Sequence, residues 1–267
     1  MRIALLTLEA LANARAVRRF VAAHAQDIAL VGLSDPYRPE AGGVFGQTMR
    51  RVRQSGPAIL PYLTMNFTLP GILGAIPKAG DVDRTPLARA CKAHGIEAVT
   101  VRDVNGAEFL GRLRESGAEL ILSFHFDQIL KAEAIATTPR GGINVHAGLL
   151  PLHRGPVPTI HALLDDPVRL GVTIHRLVPQ IDAGAALAQV EIADEPGLTA
   201  IGAAARLHEA ALPLLDDLLP RIAAGTETET ALPTLPYRPF PTADELARLR
   251  RKGRRLTSPS DLRSVWG

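Results

Sequence analysis

The stretch "AEFLGRLRESGAELILSF" (Ala107–Phe124) decides the fold class. Phe109, Leu110 and Leu113 recur at helical spacing, so Ala107–Gly117 reads as a helix with one buried face. After the glycine, "AELILSF" (Ala118–Phe124) is a short apolar run of the kind a buried strand needs. The same alternation extends in both directions. Upstream lie a strand "RIALLT" (Arg2–Thr7), a helical "LANARAVRRFVAAHA" (Leu11–Ala25) and a strand "IALVGLSD" (Ile28–Asp35). A helix "LARACKAHG" (Leu87–Gly95) and a strand "EAVTV" (Glu97–Val101) follow. Downstream come "INVH" (Ile143–His146), "GVTIHRLV" (Gly171–Val178), "ALAQVEI" (Ala186–Ile192) and a long amphipathic helix over roughly Thr199–Ala223. Strands of four to eight residues alternating with helices predict an α/β domain: a mostly parallel twisted sheet with helices on both faces.

Composition sets the bounds. The 267 residues are 46% hydrophobic, enough for one large core, which predicts a main domain over 1–225. Residues 226–267, rich in Pro and Arg, predict a basic C-terminal extension draped over it. With Cys91 alone, no disulfide framework or multi-cysteine zinc site can form within the chain, which suits a reducing cytoplasm. The first residues carry too short an apolar run for a signal peptide. The formal charge of +3 hides an asymmetry, because "ARLRRKGRR" (Ala247–Arg255) holds six of the thirty basic residues. That segment reads as a solvated amphipathic helix end, with contact to nucleic acid or an anionic lipid surface as the alternative. "PAILPYLTMNFTLPGILGAIP" (Pro57–Pro77) is apolar enough to suggest a membrane helix, but Pro61, Asn66, Pro70 and Gly71 interrupt it. It reads as a buried or dimer-forming insertion. An acceptor-pocket wall, or a dip into a membrane surface beside "RRVR" (Arg50–Arg53), is the alternative.

"GGINVHAGLLPLHRGPVPTIHAL" (Gly141–Leu163) gathers three of the eight histidines: His146, His153 and His161. Their spacing could suit a metal on a helix, but Pro151, Pro156 and Pro158 break any such helix, and no metal is expected. A dinucleotide-binding dehydrogenase would need a glycine-rich turn after the first strand, where this chain has "TLEALANAR"; "GGVFG" (Gly42–Gly46) has the wrong spacing. A serine hydrolase would need a G-x-S-x-G elbow, and none is present. Acyl transfer remains. On a strand, Asn144 and His146 share a face, so an amide and an imidazole could address one carbonyl oxygen as it turns into an oxyanion. Asp182 in "VPQIDAG" (Val178–Gly184), 36 residues beyond His146, is placed to orient the imidazole. Singly, these residues could be a turn cap, a core histidine and a turn carboxylate; together they indicate chemistry.

"NVHAGLLP", "HRG", "GVTIH" and "IDAG" carry a resemblance: the chain resembles the formyltransferases that use 10-formyltetrahydrofolate, most clearly over residues 118–192. Gly148 departs from the pattern, since the family often has serine there. The resemblance implies a Rossmann-like formyltransferase fold with Asn144, His146 and Asp182 as catalytic positions. It implies 10-formyltetrahydrofolate as formyl donor, its pterin against the backbone of Gln128, Ile129 and Leu130 and of Val178, Pro179, Gln180 and Ile181. His153 and Arg154 would face an anionic part of the acceptor, and His175 would support the centre.

The acceptor is expected to be a small-molecule primary amine: an amino sugar nucleotide first, a natural-product amine second. A glycinamide ribonucleotide acceptor would want a glycine- and serine-rich phosphate loop after the first strand. A methionyl-tRNA acceptor would want a C-terminal barrel, for which about forty residues are too few, so no nucleic-acid partner is favoured. A non-catalytic folate-binding homologue is the reading from another class, and the intact trio argues against it. A homo-oligomer through the apolar insertion is a further expectation.

Overall fold

The computed structural model describes residues 1–35, 43–70 and 87–262. Gly42 of "GGVFG" and residues 71–77 of the apolar insertion lie outside the described residues.

The strands are β1 (Ile3–Thr7), β2 (Ile28–Ser34), β3 (Ala98–Val101), β4 (Leu120–Phe124), β5 (Gly142–His146), β6 (Leu170–Arg176) and β7 (Ala186–Ile192). They form one seven-stranded sheet in the order β3-β2-β1-β4-β5-β6-β7. Pairing is parallel from β3 through β5 and antiparallel at β5–β6 and β6–β7. The α/β sheet expected from the sequence, mostly parallel and flanked by helices, is therefore the observed one.

Alternate residues of the central strands explain why the runs are apolar throughout. Ile3 and Leu5 enter a core with Val17, Phe20 and Val21 of α1 (Ala14–Ala23) and with Leu207, Leu215 and Leu218 of the long C-terminal helix. Ala4 and Leu6 enter another, with Phe109, Leu110 and Leu113 of Ala107–Glu115. Both faces are covered, so a strand needs no polar side.

The other helices follow in chain order, some flanking the sheet and some gathered at one end of it. They are α2 (Gly43–Ser55), α3 (Leu60–Leu63, continuing into a π-helical turn at Thr64–Thr68), α4 (Leu87–Ala93), α5 (Ala107–Glu115), α6 (Ala132–Ile135), α7 (Pro158–Leu164), α8 (Ala200–Ala224) and α9 (Ala243–Arg251). A third core joins Ile59 and Tyr62 of the insertion, Ile160 and Leu163 of α7, Ile201 of α8, and Phe240, Leu246 and Leu249 near the C-terminus. The described part of the insertion thus buries one face, with Ile59, Tyr62 and Asn66, and leaves Leu60, Pro61 and Thr64 exposed. The C-terminal segment is anchored too: α9 begins with a capping box between Thr242 and Glu245, and Lys252 Nζ donates to the carbonyls of Leu164 and Asp165. Among the described residues no helix is long and apolar enough to cross a membrane.

Candidate active site

Strand β5 presents Asn144 and His146 to a cavity of about 510 Å³ at the C-terminal ends of β4 and β5. The ligand site of an open α/β sheet is expected at this end. In the antiparallel ladder His175 of β6 stands directly opposite Asn144. Its Nδ1 lies 2.9 Å from its neighbour's carbonyl oxygen, at Arg176, so Nδ1 carries the hydrogen and Nε2 accepts. The Asn144 amide donates to that Nε2 at 3.1 Å. Burial, reinforced by nearby His146, pulls the His175 pKa down from 6.5 to about 4, in keeping with this neutral tautomer. One Asn144 amide hydrogen is thereby committed, and the other is left to the cavity.

His146 is held from both sides. Its Nε2 donates to the carbonyl of His153 at 2.7 Å, and its Nδ1 faces Asp182 Oδ1 at 3.6 Å. The same Asp182 oxygen lies 3.7 Å from His175 Nε2, so one carboxylate oxygen sits between two imidazoles. The other oxygen accepts the backbone N–H of Gly155 at 2.9 Å. Asp182 adopts a φ of 48°, in the left-handed region, and two residues on a Cβ at Gly184 would stand 1.9 Å from the Arg176 carbonyl oxygen. The "IDAG" turn requires its glycine because the chain passes against the end of β6 there.

Gly148 has an equally local cause. A Cβ at this position would lie 2.5 Å from the Pro158 Cβ and 2.7 Å from His146 Nε2. The imidazole and α7 occupy the space a serine would need.

The structure brings Asn144, His146, Asp182 and His175 together on the cavity wall, with Gln128, Ile129, Leu130, Val178 and Ile181 alongside. Pro179 and Gln180 are exposed and do not line the cavity. The Gln128 side chain turns inward, accepting from Val104 N at 2.9 Å and donating to Ser34 Oγ and the Val101 carbonyl.

His153 and Arg154 do not reach the cavity either, which corrects the expectation that they face the acceptor. His153 is fully buried, with Nε2 2.8 Å from Asp165 Oδ2. Arg154 is buried and spends its guanidinium on the backbone carbonyls of Ile181, Asp182 and Leu235. A cation in an H-R-G loop reads as ligand-facing, but here its planar fork clamps the turn that carries Asp182 to the C-terminal segment. His161 Nε2 bonds the Pro239 carbonyl at 2.7 Å, so the three clustered histidines serve three separate partners.

Two cavity histidines escaped sequence reading. His125, just after β4, has a φ of 57° and a buried Nε2 without a hydrogen-bond partner. His208 of α8 packs edge-on against it, ring centroids 5.1 Å apart, and donates from Nδ1 to the Ala12 carbonyl. Burial drives both down from 6.5, His125 to about 3 and His208 to about 4, so both are neutral. The only sequence signal was a histidine on the otherwise apolar face of Leu207, Ala211 and Leu215.

A family described as formyl transferase matches residues 80–217, half of the chain and the part that runs from α4 into α8. The chain belongs to the formyl transferase family. Solved structures repeat the fold of this formyltransferase at low identity. A sugar N-formyltransferase from Shewanella sp. is 17% identical with a TM-score of 0.56, covering 94% of this chain and 88% of that one. An N-formyltransferase from Helicobacter canadensis, in complex with folinic acid and dTDP-3-aminofucose, is 14% identical with a TM-score of 0.55 and covers 90% and 71%. Glycinamide ribonucleotide transformylase 1 from Symbiobacterium toebii is 14% identical with a TM-score of 0.57 and covers 87% and 94%.

Proposed function

We propose that this enzyme is an N-formyltransferase that moves the formyl group of 10-formyltetrahydrofolate to a primary amine of a small acceptor, with an amino sugar nucleotide as the leading candidate. The observation that carries the reading is the convergence of Asn144, His146 and Asp182 on one cavity wall. The donor supplies an activated formyl carbon. Leu130, Ile129 and Val178 offer an apolar surface for its flat ring system, and the unpartnered His125 Nε2 offers a hydrogen-bonding position. In the reaction, the acceptor nitrogen adds to the formyl carbon and negative charge gathers on the formyl oxygen. The free Asn144 amide hydrogen meets that charge. For His146 to join it, the Nε2 hydrogen must shift from the His153 carbonyl toward the cavity, a tightening typical of catalytic hydrogen bonds once a ligand is present. Asp182, poised between two imidazoles, orients His146 and takes part in moving the proton from the amine to the departing folate nitrogen. The similar fold of the Helicobacter canadensis enzyme, whose complex holds folinic acid and an aminosugar nucleotide, supports both halves of the reading.

The test is direct. Incubation with 10-formyltetrahydrofolate and a panel of amino sugar nucleotides should release tetrahydrofolate only when an acceptor amine is present. Folate binding without amine-dependent release would instead establish a non-catalytic binder.

A further inference from the structure

The wall of the cavity formed by α2 carries cationic and amide groups that the reaction does not use. Gln47, Arg50 and Arg51 of α2 all line the cavity. The Gln47 Nε2 amide is buried without a hydrogen-bond partner. The Arg51 guanidinium lies 3.7 Å above the ring centroid of Phe240, which orients it and shields one face from water. Burial lowers its pKa, so its charge is held at some cost. Among the described residues neither Arg50 nor Arg51 pairs with a carboxylate. The cavity's carboxylates, Asp127 and Asp182, belong to other elements: the end of β4 and the turn after β6. The cavity therefore draws its carboxylates from the sheet end and its guanidiniums from α2.

We propose that α2 binds a phosphate or diphosphate group of the acceptor through Arg50, Arg51 and Gln47. This rests on the N-formyltransferase reading and names the substrate class: an amine at one end and a phosphate at the other. A buried amide donor and a half-buried cation are costly when left without an acceptor. Two guanidiniums and an amide supply several donors to a tetrahedral oxyanion, and the arginine fork suits it. The folate donor carries anionic glutamyl carboxylates, a second source of negative charge, but the surface expected for folate lies on the β4 and Val178–Ile181 side.

The experiment titrates wild type, Arg50→Gln, Arg51→Gln, Arg51→Lys and Gln47→Ala with inorganic pyrophosphate, with UDP and, separately, with 5-formyltetrahydrofolate, using calorimetry at low salt. Pyrophosphate and UDP should bind wild type and weaken about tenfold or more in each arginine-to-glutamine variant, less in Arg51→Lys. Affinity for 5-formyltetrahydrofolate should stay within about twofold, as expected for a contact made to the acceptor alone. Arg50 is exposed, so Arg50→Gln keeps the fold intact and carries the test even if Arg51 variants misfold. Failure of wild type to bind either phosphate ligand overturns the proposal. So does a loss that falls on 5-formyltetrahydrofolate instead, which would assign the arginines to the glutamyl tail. If phosphate ligands bind as stated but no amine is formylated, the N-formyltransferase reading fails while α2 keeps its role. If amines lacking phosphate are formylated as fast as phosphorylated ones, the α2 proposal alone fails.

Discussion

The imidazole of His146 is confined by a missing methyl group. Because a Cβ at position 148 would press on both Pro158 and His146 Nε2, Gly148→Ser should displace the ring. We expect about 1–3 kcal/mol of destabilisation from the overpacking, and a fall in turnover larger than the fall in folded protein; a serine variant with normal rate would show that the ring has room. His146→Ala and Asp182→Ala should each cost about a thousandfold or more in turnover while 5-formyltetrahydrofolate binding persists, as expected for groups used mainly in the transition state. Steady-state rates near wild type in either variant would remove these residues from the mechanism. Asn144 and His146 were legible because a strand puts alternate residues on one face, and Asp182 because its spacing allowed a helix, a strand and a return to the same edge. The partners of Arg154 were not legible, since its three acceptors are carbonyls of residues 181, 182 and 235, which any sequence supplies. His125 and His208 were hidden for a related reason: they meet only through tertiary packing, 83 positions apart.

Elements whose burial is periodic were legible in the sequence. Strand β7 coincides with "ALAQVEI", and α8 departs by one residue at each end from the expected Thr199–Ala223. Its internal Pro213 and Pro220 did not break it; both are exposed and two turns apart, so the lost hydrogen bonds fall on a side where water can replace them. Thr199 caps this helix, accepting from Gly202 N at 2.9 Å and donating to Asp261 at 2.7 Å. Thr199→Ala should therefore cost about 1–2 kcal/mol in denaturant unfolding. Proteolysis should also become faster in the C-terminal segment that Asp261 anchors; an unchanged cleavage rate would show that the other contacts suffice. The basic "ARLRRKGRR" illustrates a limit of charge patterning. It reads as a solvated amphipathic helix end, and Arg248, Arg250 and Arg251 are exposed around a buried Leu249, but the spacing did not show that Lys252 caps the chain after α7 or that Arg254 pairs with Asp194. Charge runs reveal solvation but not which carbonyls or carboxylates a folded chain will bring within reach.

Taken whole, the molecule stores neutral histidines in its interior, and this sets its response to acid. His175 and His208 are both buried, with pKa values lowered from 6.5 to about 4. Between those values the unfolded chain binds protons that the folded chain refuses, so stability falls as pH drops from about 6.5 toward 4. Each residue contributes up to about 3 kcal/mol to that loss. The melting temperature should decline steeply across this window, and His208→Gln should flatten the decline; a melting temperature constant from pH 7 to pH 5 would contradict the picture. The turn that carries Asp182 and the C-terminal segment are also tied together by the guanidinium of Arg154, which bonds the carbonyls of residues 181, 182 and 235. Anyone wishing to graft a different tail onto this scaffold, to redirect it toward a new amine, must keep a main-chain oxygen where Leu235 now offers one. Without it the arginine that steadies residue 182 would lose one of its three anchors, and a change intended for selectivity would be felt as lost speed.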